Sequence, residues 1–494
     1  MTDKTLKQRT AQGLFWGGLG SGVQQIIQMV SGIIMLGILD PEDYGLVGVL
    51  YIFTAIALVI QDSGFSSALI NKKKVRQEDY NAVFWFSVLV STAIYIALFF
   101  AAPLIADFFD QPRLVPISRV LFLCFLIGSM GVAQHAFILK ELMVKEKVKI
   151  EFWALILSVA SGITFAFLGY AYWAIVIQNV LYFATSTIVR WFYCPWKPSF
   201  NINFRPLKAI FSFSIKLLFT NIFNQIVQNI FTVVLGKFYQ ENQVGYYIQG
   251  NRWAVMGGSF VTSMIHGVAQ PVLAQMTGDK DRQKNAFRKM LRFGAFISFP
   301  LLLGLGFVAE EFFQIIGEGS KWLPAVPFLQ LFSIWYAMHY IWILYTNLLI
   351  ARGKSTIYMT GMVIVGSLQL LAVITTFQWG IFPMLIAYLS INFLGLFFWH
   401  YHAHKLTGLR LWHVIKDIAP YLLITLACIS VSWFTTSGLE SPVIRLLLKI
   451  AITGILYVTI MWYSNSVIVR ESFSYITEIF SKRKNSDQTK ENTR

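Results

Sequence analysis

The chain has 494 residues, of which 56% are apolar and 13% are charged, and its net charge is +16. Charged residues make up about 25% of a typical soluble domain. With a mean hydropathy of +0.60, the composition excludes a soluble globular protein and a disordered chain. Three scattered cysteines indicate neither a disulfide framework nor a metal cluster. We therefore predict an all-α polytopic membrane protein that needs no cofactor.

A transmembrane helix needs about 20 predominantly apolar residues. Fourteen such segments follow one another along the chain, and twelve is the main alternative count. They are residues 15–38, 44–60, 83–106, 120–137, 154–170, 173–188, 215–235, 254–273, 293–308, 325–350, 358–377, 380–398, 420–434 and 446–463. The first is too long for a cleaved signal peptide, and no small-residue cleavage site follows it.

The basic residues give an independent test of this topology. When the N-terminus is placed in the cytoplasm, most of them fall in inner loops, as in residues 72–76 and 280–292. The outer loops are short and often acidic, as in residues 40–43. This alternation follows the positive-inside rule, and the excess charge faces anionic lipid headgroups. We therefore predict a multi-pass membrane protein with both termini in the cytoplasm, and nucleic acid is not needed as a partner.

The first and seventh predicted spans share a polar register at an offset of 200 residues. Gln24-Gln25-Ile26-Ile27-Gln28 recurs as Asn224-Gln225-Ile226-Val227-Gln228, and Gly45 matches Gly245. Six spans separate the copies, so both enter the membrane in the same direction, which predicts a parallel repeat about the membrane normal. The predicted divisions are a six-helix lobe at 1–200, a second at 201–405, a terminal helix pair at 406–470 and a basic cytoplasmic tail at 471–494.

The repeated residues lie three and four positions apart, so each set forms one face of a helix. Side-chain amides are costly in hydrocarbon unless they face a partner or water. Interhelical hydrogen bonding is one explanation. Because the two stripes are related by the repeat, we favour a hydrated cleft whose amides bind sugar hydroxyls. The candidate ligands are Gln24, Gln25, Gln28, Asn221, Asn224, Gln225 and Gln228.

Three basic residues within or beside spans are candidate anion ligands: Arg252, Lys216 and Arg119. A guanidinium group can bind phosphate at two points, whereas lysine offers a single charge. The alternative is that all three extend from helix ends to lipid headgroups. Arg252 is the preferred candidate, because the equivalent residues 50–53 of the first lobe carry no charge.

Several short motifs resemble the polysaccharide transport family of the MOP exporter superfamily, which contains the Wzx-type flippases of lipid-linked oligosaccharides. Residues 39–45 match its L-x-P-x-D-[YF]-G turn, and residues 62–70 match D-x-G-[FL]-x-x-A-L-I. Residues 319–325 are similar to G-x-x-W-x-x-A. The resemblance extends from about residue 12 to residue 400, and it is greatest for the colanic-acid and teichuronic-acid type exporters.

This resemblance implies fourteen helices in two six-helix lobes plus a terminal pair. It also implies a transporter, not an enzyme, that moves an undecaprenyl-pyrophosphate-linked oligosaccharide from the inner to the outer leaflet by alternating access. The implied location is the inner (plasma) membrane of a bacterium, and the implied partners are this lipid-linked substrate and membrane lipids. Coupling to protons or sodium, and association with polymerase or export machinery, are left open.

Two other functions are compatible with a polytopic chain. A cation-coupled multidrug exporter of the same superfamily would favour buried acids, and mid-span acids are nearly absent from the sequence. A membrane glycan polymerase or ligase would need catalytic groups in a sizeable outer loop, and the predicted outer loops are all short. The flippase interpretation is therefore preferred.

Overall fold

The computed structural model describes residues 3–62, 69–70, 72, 74–200, 202–317 and 319–464. The predicted tail at 471–494 and most of the 62–70 motif lie outside the described residues. The helices are α1 (Asp3–Ile38), α2 (Pro41–Gly48), α3 (Tyr51–Asp62), α4 (Gln77–Phe108), α5 (Leu114–Leu121), α6 (Leu123–Ser129), α7 (Val132–Lys140), α8 (Val144–Phe167), α9 (Tyr172–Tyr193), α10 (Arg205–Phe238), α11 (Glu241–Gln275), α12 (Lys280–Phe307), α13 (Ala309–Ile316), α14 (Val326–Ala351), α15 (Ser355–Thr376), α16 (Ile381–Thr407), α17 (Leu411–Thr436) and α18 (Pro442–Tyr463). Two short 3₁₀ helices cover Leu323–Ala325 and Phe377–Trp379.

The prediction of an all-α multi-pass membrane protein is confirmed. Within the described residues, twelve helices are long and apolar enough to cross a membrane. A thirteenth span results when Leu114–Ser129 and Val132–Lys140, which meet at a 46° bend, are counted together. The predicted eighth span, residues 254–273, is helical as part of α11. Helix α11 is not among the twelve candidate spans, and it carries polar groups such as Arg252 and His266. The predicted count of fourteen is therefore approximate.

The repeat register is visible where α2 crosses α11. Helices α1 and α10 end 200 residues apart, and α2 and α11 begin 200 residues apart. A Cβ atom built on Gly45 would lie 2.0 Å from the carbonyl oxygen of Glu241, and one on Gly245 would lie 1.9 Å from that of Pro41. Each glycine thus contacts the first residue of the other helix. Such reciprocal contacts are typical of a local two-fold relation, and they confirm the register predicted from Gly45 and Gly245.

The chain divides into two compact units. In the first, α8 packs against α1 and α9, and α10 packs against α3 and α4. In the second, α12 packs against α14 and α17, and α17 pairs with α18. The first unit comprises Met1–Ile248, Ile316–Lys321 and Val373–Ile381, and the second comprises Gln249–Ile315, Trp322–Ala372 and Phe382–Arg494. The lobe boundaries drawn from the sequence at 200 and 405 stay predictions.

Two buried ion-pair clusters attach the terminal helices to the rest of the second unit. Asp417 of α17 is 4% exposed and accepts two hydrogen bonds from Arg288 of α12, at 2.6 and 3.0 Å. Glu311 of α13 is 1% exposed and lies 2.7 Å from the Lys449 ammonium and 2.8 Å from the Arg445 guanidinium, both on α18. Because α13 begins at Ala309, Glu311 also gains from the positive end of that helix.

We expect Gly45→Ala to destabilise the protein, because its methyl group would overlap a backbone carbonyl that a side-chain rotation cannot move. The overlap forces α2 and α11 apart, at a cost of about 1–3 kcal/mol. The matched control is Gly304→Ala, since no atom lies within 4 Å of a Cβ atom at Gly304. Thermal unfolding of the purified protein in detergent checks this. Equal midpoints for the two variants would contradict the tight crossing.

Removing the charge of Glu311 should be more damaging. Glu311→Gln leaves Lys449 and Arg445 without their carboxylate in a buried site, and breaking a buried ion pair costs about 3–5 kcal/mol. Its neighbour Glu310 is exposed and accepts a hydrogen bond from Gln314 on the same helix, so Glu310→Gln is the control. The readout is again the thermal midpoint, and a Glu311→Gln variant as stable as this control would show that the cluster does not hold α18 in place.

Candidate functional site

The two polar stripes have matching accessibility along α1 and α10. The exposed members are Ser21, Gln28, Asn221 and Gln228, and the half-buried members are Gln24, Gln25, Asn224 and Gln225. Towards the other end of the spans, Ser31 and Thr232 are buried, at 2% and 9%. Accessible amides on membrane-crossing helices need water or a polar ligand as a partner. The equal exposure of equivalent positions therefore favours a shared role for the two stripes.

On α1, the stripe contacts a carboxylate of α8. The helices approach closely at Gly20, whose Cβ position would lie 2.7 Å from the Val148 side chain. One turn later, Gln24 Nε2 donates a hydrogen bond of 3.0 Å to Glu151 Oε2. Glu151 also lies 3.6 Å from the Lys147 ammonium, one turn earlier on α8. The candidate ligand Gln24 is thus bonded to an acid, and an amide stripe meets a charged group inside the first unit.

Glu151 is a functional candidate that the sequence interpretation missed. The fifth span was predicted to begin at residue 154, which placed Glu151 in an inner loop. In the structure, α8 begins at Val144, and the span covers Val144–Phe167. The signal in the sequence is the spacing of Lys147 and Glu151, because residues four apart share one face of a helix. Their pairing allows the helix to continue through a charged stretch.

Arg190 of α9 lies where the fourth span bends. Trp191 Nε1 donates a 2.7 Å hydrogen bond to the Met130 carbonyl oxygen, so α9 is fixed at the bend. The Arg190 guanidinium lies over Gly131, where a Cβ atom would be 3.1 Å from Nη1. Among the described residues the guanidinium has no hydrogen-bond or carboxylate partner, so its donors are available to a ligand.

On α10, the described contacts of the stripe lie within the helix itself. Asn229 Nδ2 donates to the Gln225 carbonyl oxygen at 2.9 Å and approaches Gln225 Oε1 at 3.5 Å. The second distance is too long for a strong hydrogen bond, so the Gln225 amide keeps most of its bonding capacity. Among the described residues no acid bonds to this stripe, in contrast to Gln24 on α1.

The three predicted anion ligands lie in different environments. Arg252 is exposed on α11. The Arg119 guanidinium lies 4.3 Å above the Phe99 ring, and its Nε donates to the Phe99 carbonyl oxygen at 3.4 Å. Arg119 is therefore held against α4 by a cation–π contact. Lys216 belongs to α10, but its side chain lies outside the described residues. Their roles in substrate binding stay predictions.

The helical architecture defines the general class of the protein. It is a multi-pass membrane protein whose spans carry a repeated register, with accessible amides at equivalent positions of α1 and α10. Soluble enzymes and receptors with a single span are excluded by the helices that cross the membrane. Such parallel repeats are common in transporters.

The chain belongs to the polysaccharide biosynthesis protein family, whose model matches residues 34–327, more than half of its length. The predicted resemblance to polysaccharide transport proteins is confirmed. The matched region runs from the last turn of α1 to the start of α14, so it includes the α10 stripe, whereas the α1 stripe precedes it.

Similar curated proteins agree with this assignment. The teichuronic acid biosynthesis protein TuaB of Bacillus subtilis is 25% identical over 377 residues, which cover 75% of this chain and 78% of TuaB. The lipopolysaccharide biosynthesis protein WzxC of Escherichia coli is 24% identical and covers 67% of each chain. The succinoglycan biosynthesis transport protein ExoT of Rhizobium meliloti is 23% identical over 68% of this chain and 67% of ExoT. The prediction of a transport protein, as opposed to an enzyme, is confirmed.

Two solved membrane-protein structures share the fold. The lipid II flippase MurJ in an inward closed conformation superposes with a TM-score of 0.73 over 91% of this chain and 99% of MurJ. An inward-facing multidrug resistance MATE transporter of the MOP superfamily gives a TM-score of 0.61 over 78% of this chain and 96% of that transporter. Both are 13% identical to this chain in sequence. The superpositions therefore support a common fold and do not identify the substrate.

We expect Arg252→Ala to reduce export strongly while the protein stays normally abundant in the membrane. A charge-assisted hydrogen bond is worth about 1.5–3 kcal/mol, so loss of a phosphate ligand should weaken transport by about tenfold or more. The control is Arg282→Ala, an exposed residue near the start of α12. Surface polysaccharide and membrane abundance are measured in a deletion strain that carries each variant. Full export by Arg252→Ala would remove Arg252 from the site.

Proposed function

We propose that this protein moves an undecaprenyl-pyrophosphate-linked oligosaccharide from the inner to the outer leaflet of a bacterial cytoplasmic membrane. The observation that carries the proposal is the matched pair of accessible amide stripes on α1 and α10, in a family named for polysaccharide biosynthesis. TuaB, WzxC and ExoT are each named for the production of a surface or secreted polysaccharide, which supports a glycan substrate here.

The chemistry of such a substrate fits the groups that the spans carry. Its sugar hydroxyls need hydrogen-bond partners when they leave water, and amides supply both donors and acceptors. Its pyrophosphate needs cations, and guanidinium groups bind phosphate oxygens through charge-assisted hydrogen bonds. The lipid tail stays in the bilayer. The proposed substrate ligands are Arg252, Lys216, Arg119, Gln24, Gln25, Gln28, Asn221, Asn224, Gln225 and Gln228.

The repeat supports transport by alternating access, since transporters built from parallel repeats commonly work in this way. We take residues 1–200 and 201–405 as the two lobes, 406–470 as the terminal helix pair and 471–494 as a basic tail. A cytoplasmic location of both termini is part of the proposal, and the distribution of lysine and arginine supports it. The movement needs an energy source, for which proton and sodium gradients are the two candidates. A polysaccharide polymerase is the natural consumer of the product.

Deletion of the gene should leave lipid-linked repeat units in the inner leaflet and remove the surface polysaccharide. Labelled lipid-linked oligosaccharide is quantified in spheroplasts, and its accessibility to an impermeant oxidant reports the leaflet. A polymerase deletion is the control, because there the same units should accumulate in the outer leaflet. Normal surface polysaccharide together with increased sensitivity to cationic drugs would instead identify a multidrug exporter.

A further inference from the structure

A pocket of about 680 Å³ lies between the start of α12 and the end of α16, inside the second unit. Its volume is within the range of roughly 300–1,000 Å³ that is usual for ligand sites. None of its lining residues is among the proposed substrate ligands. We call it the Lys280 pocket, and its charged and aromatic lining consists of Lys280, Asp281, Lys284, Tyr401, His404 and Lys405.

Both walls of the Lys280 pocket are fixed to the rest of the second unit. On α12, Gln283 Nε2 donates to the Leu273 carbonyl oxygen at 2.7 Å, and Gln283 Oε1 accepts a 2.7 Å hydrogen bond from Arg352. At the end of α16, His404 Nδ1 donates to the Leu409 carbonyl oxygen at 2.9 Å. Leu409 is fully buried in the core. The pocket is therefore formed by the fold itself and needs no ligand to shape it.

The charges of the pocket leave two lysines available to a ligand. Asp281 accepts a 2.7 Å hydrogen bond from the Lys284 ammonium, so these two charges compensate each other. Lys280 and Lys405 are exposed, and neither has an ion-pair partner among the residues that the structure describes. Three lysines and one aspartate give the pocket a net charge of +2. Charge-assisted hydrogen bonds from ammonium groups favour an anion such as a phosphate.

The pocket also lies at the depth of the lipid headgroups. The spans Lys280–Phe307 and Ile381–Thr407 both have one end at the pocket, and headgroups flank the hydrocarbon core at the ends of such spans. On α16, Leu394, Phe397 and Tyr401 are three and four residues apart and are 65%, 57% and 62% exposed. An exposed apolar stripe therefore leads along the span to the pocket, and it ends in a tyrosine, a residue enriched at membrane interfaces.

We propose that the Lys280 pocket binds the headgroup of an anionic phospholipid of the bilayer. Lys280 and Lys405 contact its phosphate, and its acyl chains lie along Leu394 and Phe397. Basic pockets between membrane helices on the cytoplasmic side bind such headgroups, and the proposed topology puts the pocket on that side. A soluble phosphate would match the lysines but would leave the apolar stripe uncovered. The inference goes beyond the proposed function, because this lipid is a resident ligand and not the transported substrate.

The test is native mass spectrometry of the purified full-length protein in detergent, with dioleoyl phosphatidylglycerol as the probe. Dioleoyl phosphatidylcholine is the control lipid, because it has the same acyl chains and no net charge. We expect the wild type to prefer phosphatidylglycerol. The double variant Lys280→Gln/Lys405→Gln should bind it about 25-fold more weakly, since each lysine near the membrane surface contributes about fivefold.

The matched control is Lys354→Gln/Lys416→Gln, which removes two exposed lysines of the second unit outside the pocket. It changes the net charge by the same amount and should bind phosphatidylglycerol like the wild type. Equal losses in the two double variants would show that only the net charge matters, and this would overturn the inference. A wild type without preference between the two lipids would also overturn it, whereas the proposed function has a separate test in the deletion strain.

A third variant distinguishes a specific site from damage to the fold. Asp281→Asn removes the acid that engages Lys284, so the affinity for phosphatidylglycerol should rise about fivefold. Glu310→Gln makes the same charge change at an exposed residue outside the pocket and should leave the affinity unchanged. An affinity that does not rise in Asp281→Asn would contradict the proposed contacts.

Two competitors identify the source of the phosphate. Inorganic phosphate should not displace phosphatidylglycerol at an equal concentration, because it lacks the acyl chains. Displacement by inorganic phosphate would make the pocket a site for soluble phosphate. Undecaprenyl phosphate that binds more tightly than phosphatidylglycerol, and that loses this binding in Lys280→Gln/Lys405→Gln, would make the pocket part of the substrate path. Either result would overturn the inference while the proposed function stands.

Discussion

The absence of water from the hydrocarbon core is the constraint on which the rest of the structure depends. A polar side chain on a membrane span needs a protein partner, a wet surface or a ligand. In the second unit, Asp417 and Glu311 are almost fully buried, with one and two basic partners within 3 Å, respectively. In the first unit, the α1 stripe stays accessible. Polar groups on membrane spans are costly in hydrocarbon, so they occur here in two forms. Buried charges are paired and stabilise the fold, whereas accessible amides are available for binding.

Close backbone approach is the second requirement of this architecture. Gly45 and Gly245 allow α2 and α11 to cross with less room than one methyl group needs. In lipid, helices gain little from the hydrophobic effect when they associate, and small residues compensate because they allow close packing. Gly45 of α2 approaches the first residue of α11, and Gly245 of α11 approaches the first residue of α2. Equivalent glycines of the repeat therefore make equivalent contacts. The same close contact therefore accounts for a glycine at both positions of the register.

The Glu151 carboxylate of α8 shows where sequence reasoning about membrane chains fails. An apolar window ends where charges begin, but a helix can continue beyond it when charged residues pair along one face. Lys147 and Glu151 do so on α8, and the carboxylate reaches the Gln24 amide of α1. Arg190 could be assigned to an inner helix end from the sequence. Its location at the bend over Gly131 depends on the packing of α9 against α6 and α7.

The sequence by itself determined the class of the protein, the approximate number of spans, the 200-residue register and the two amide stripes. These features depend on composition and on periodicity along one helix, which are local properties of the chain. Only the tertiary structure decided which polar groups meet. Glu151 and Gln24 are 127 residues apart in the chain, and Glu311 and Lys449 are 138 residues apart. Contacts over such separations depend on how helices pack, and nothing in the local pattern of either partner encodes them.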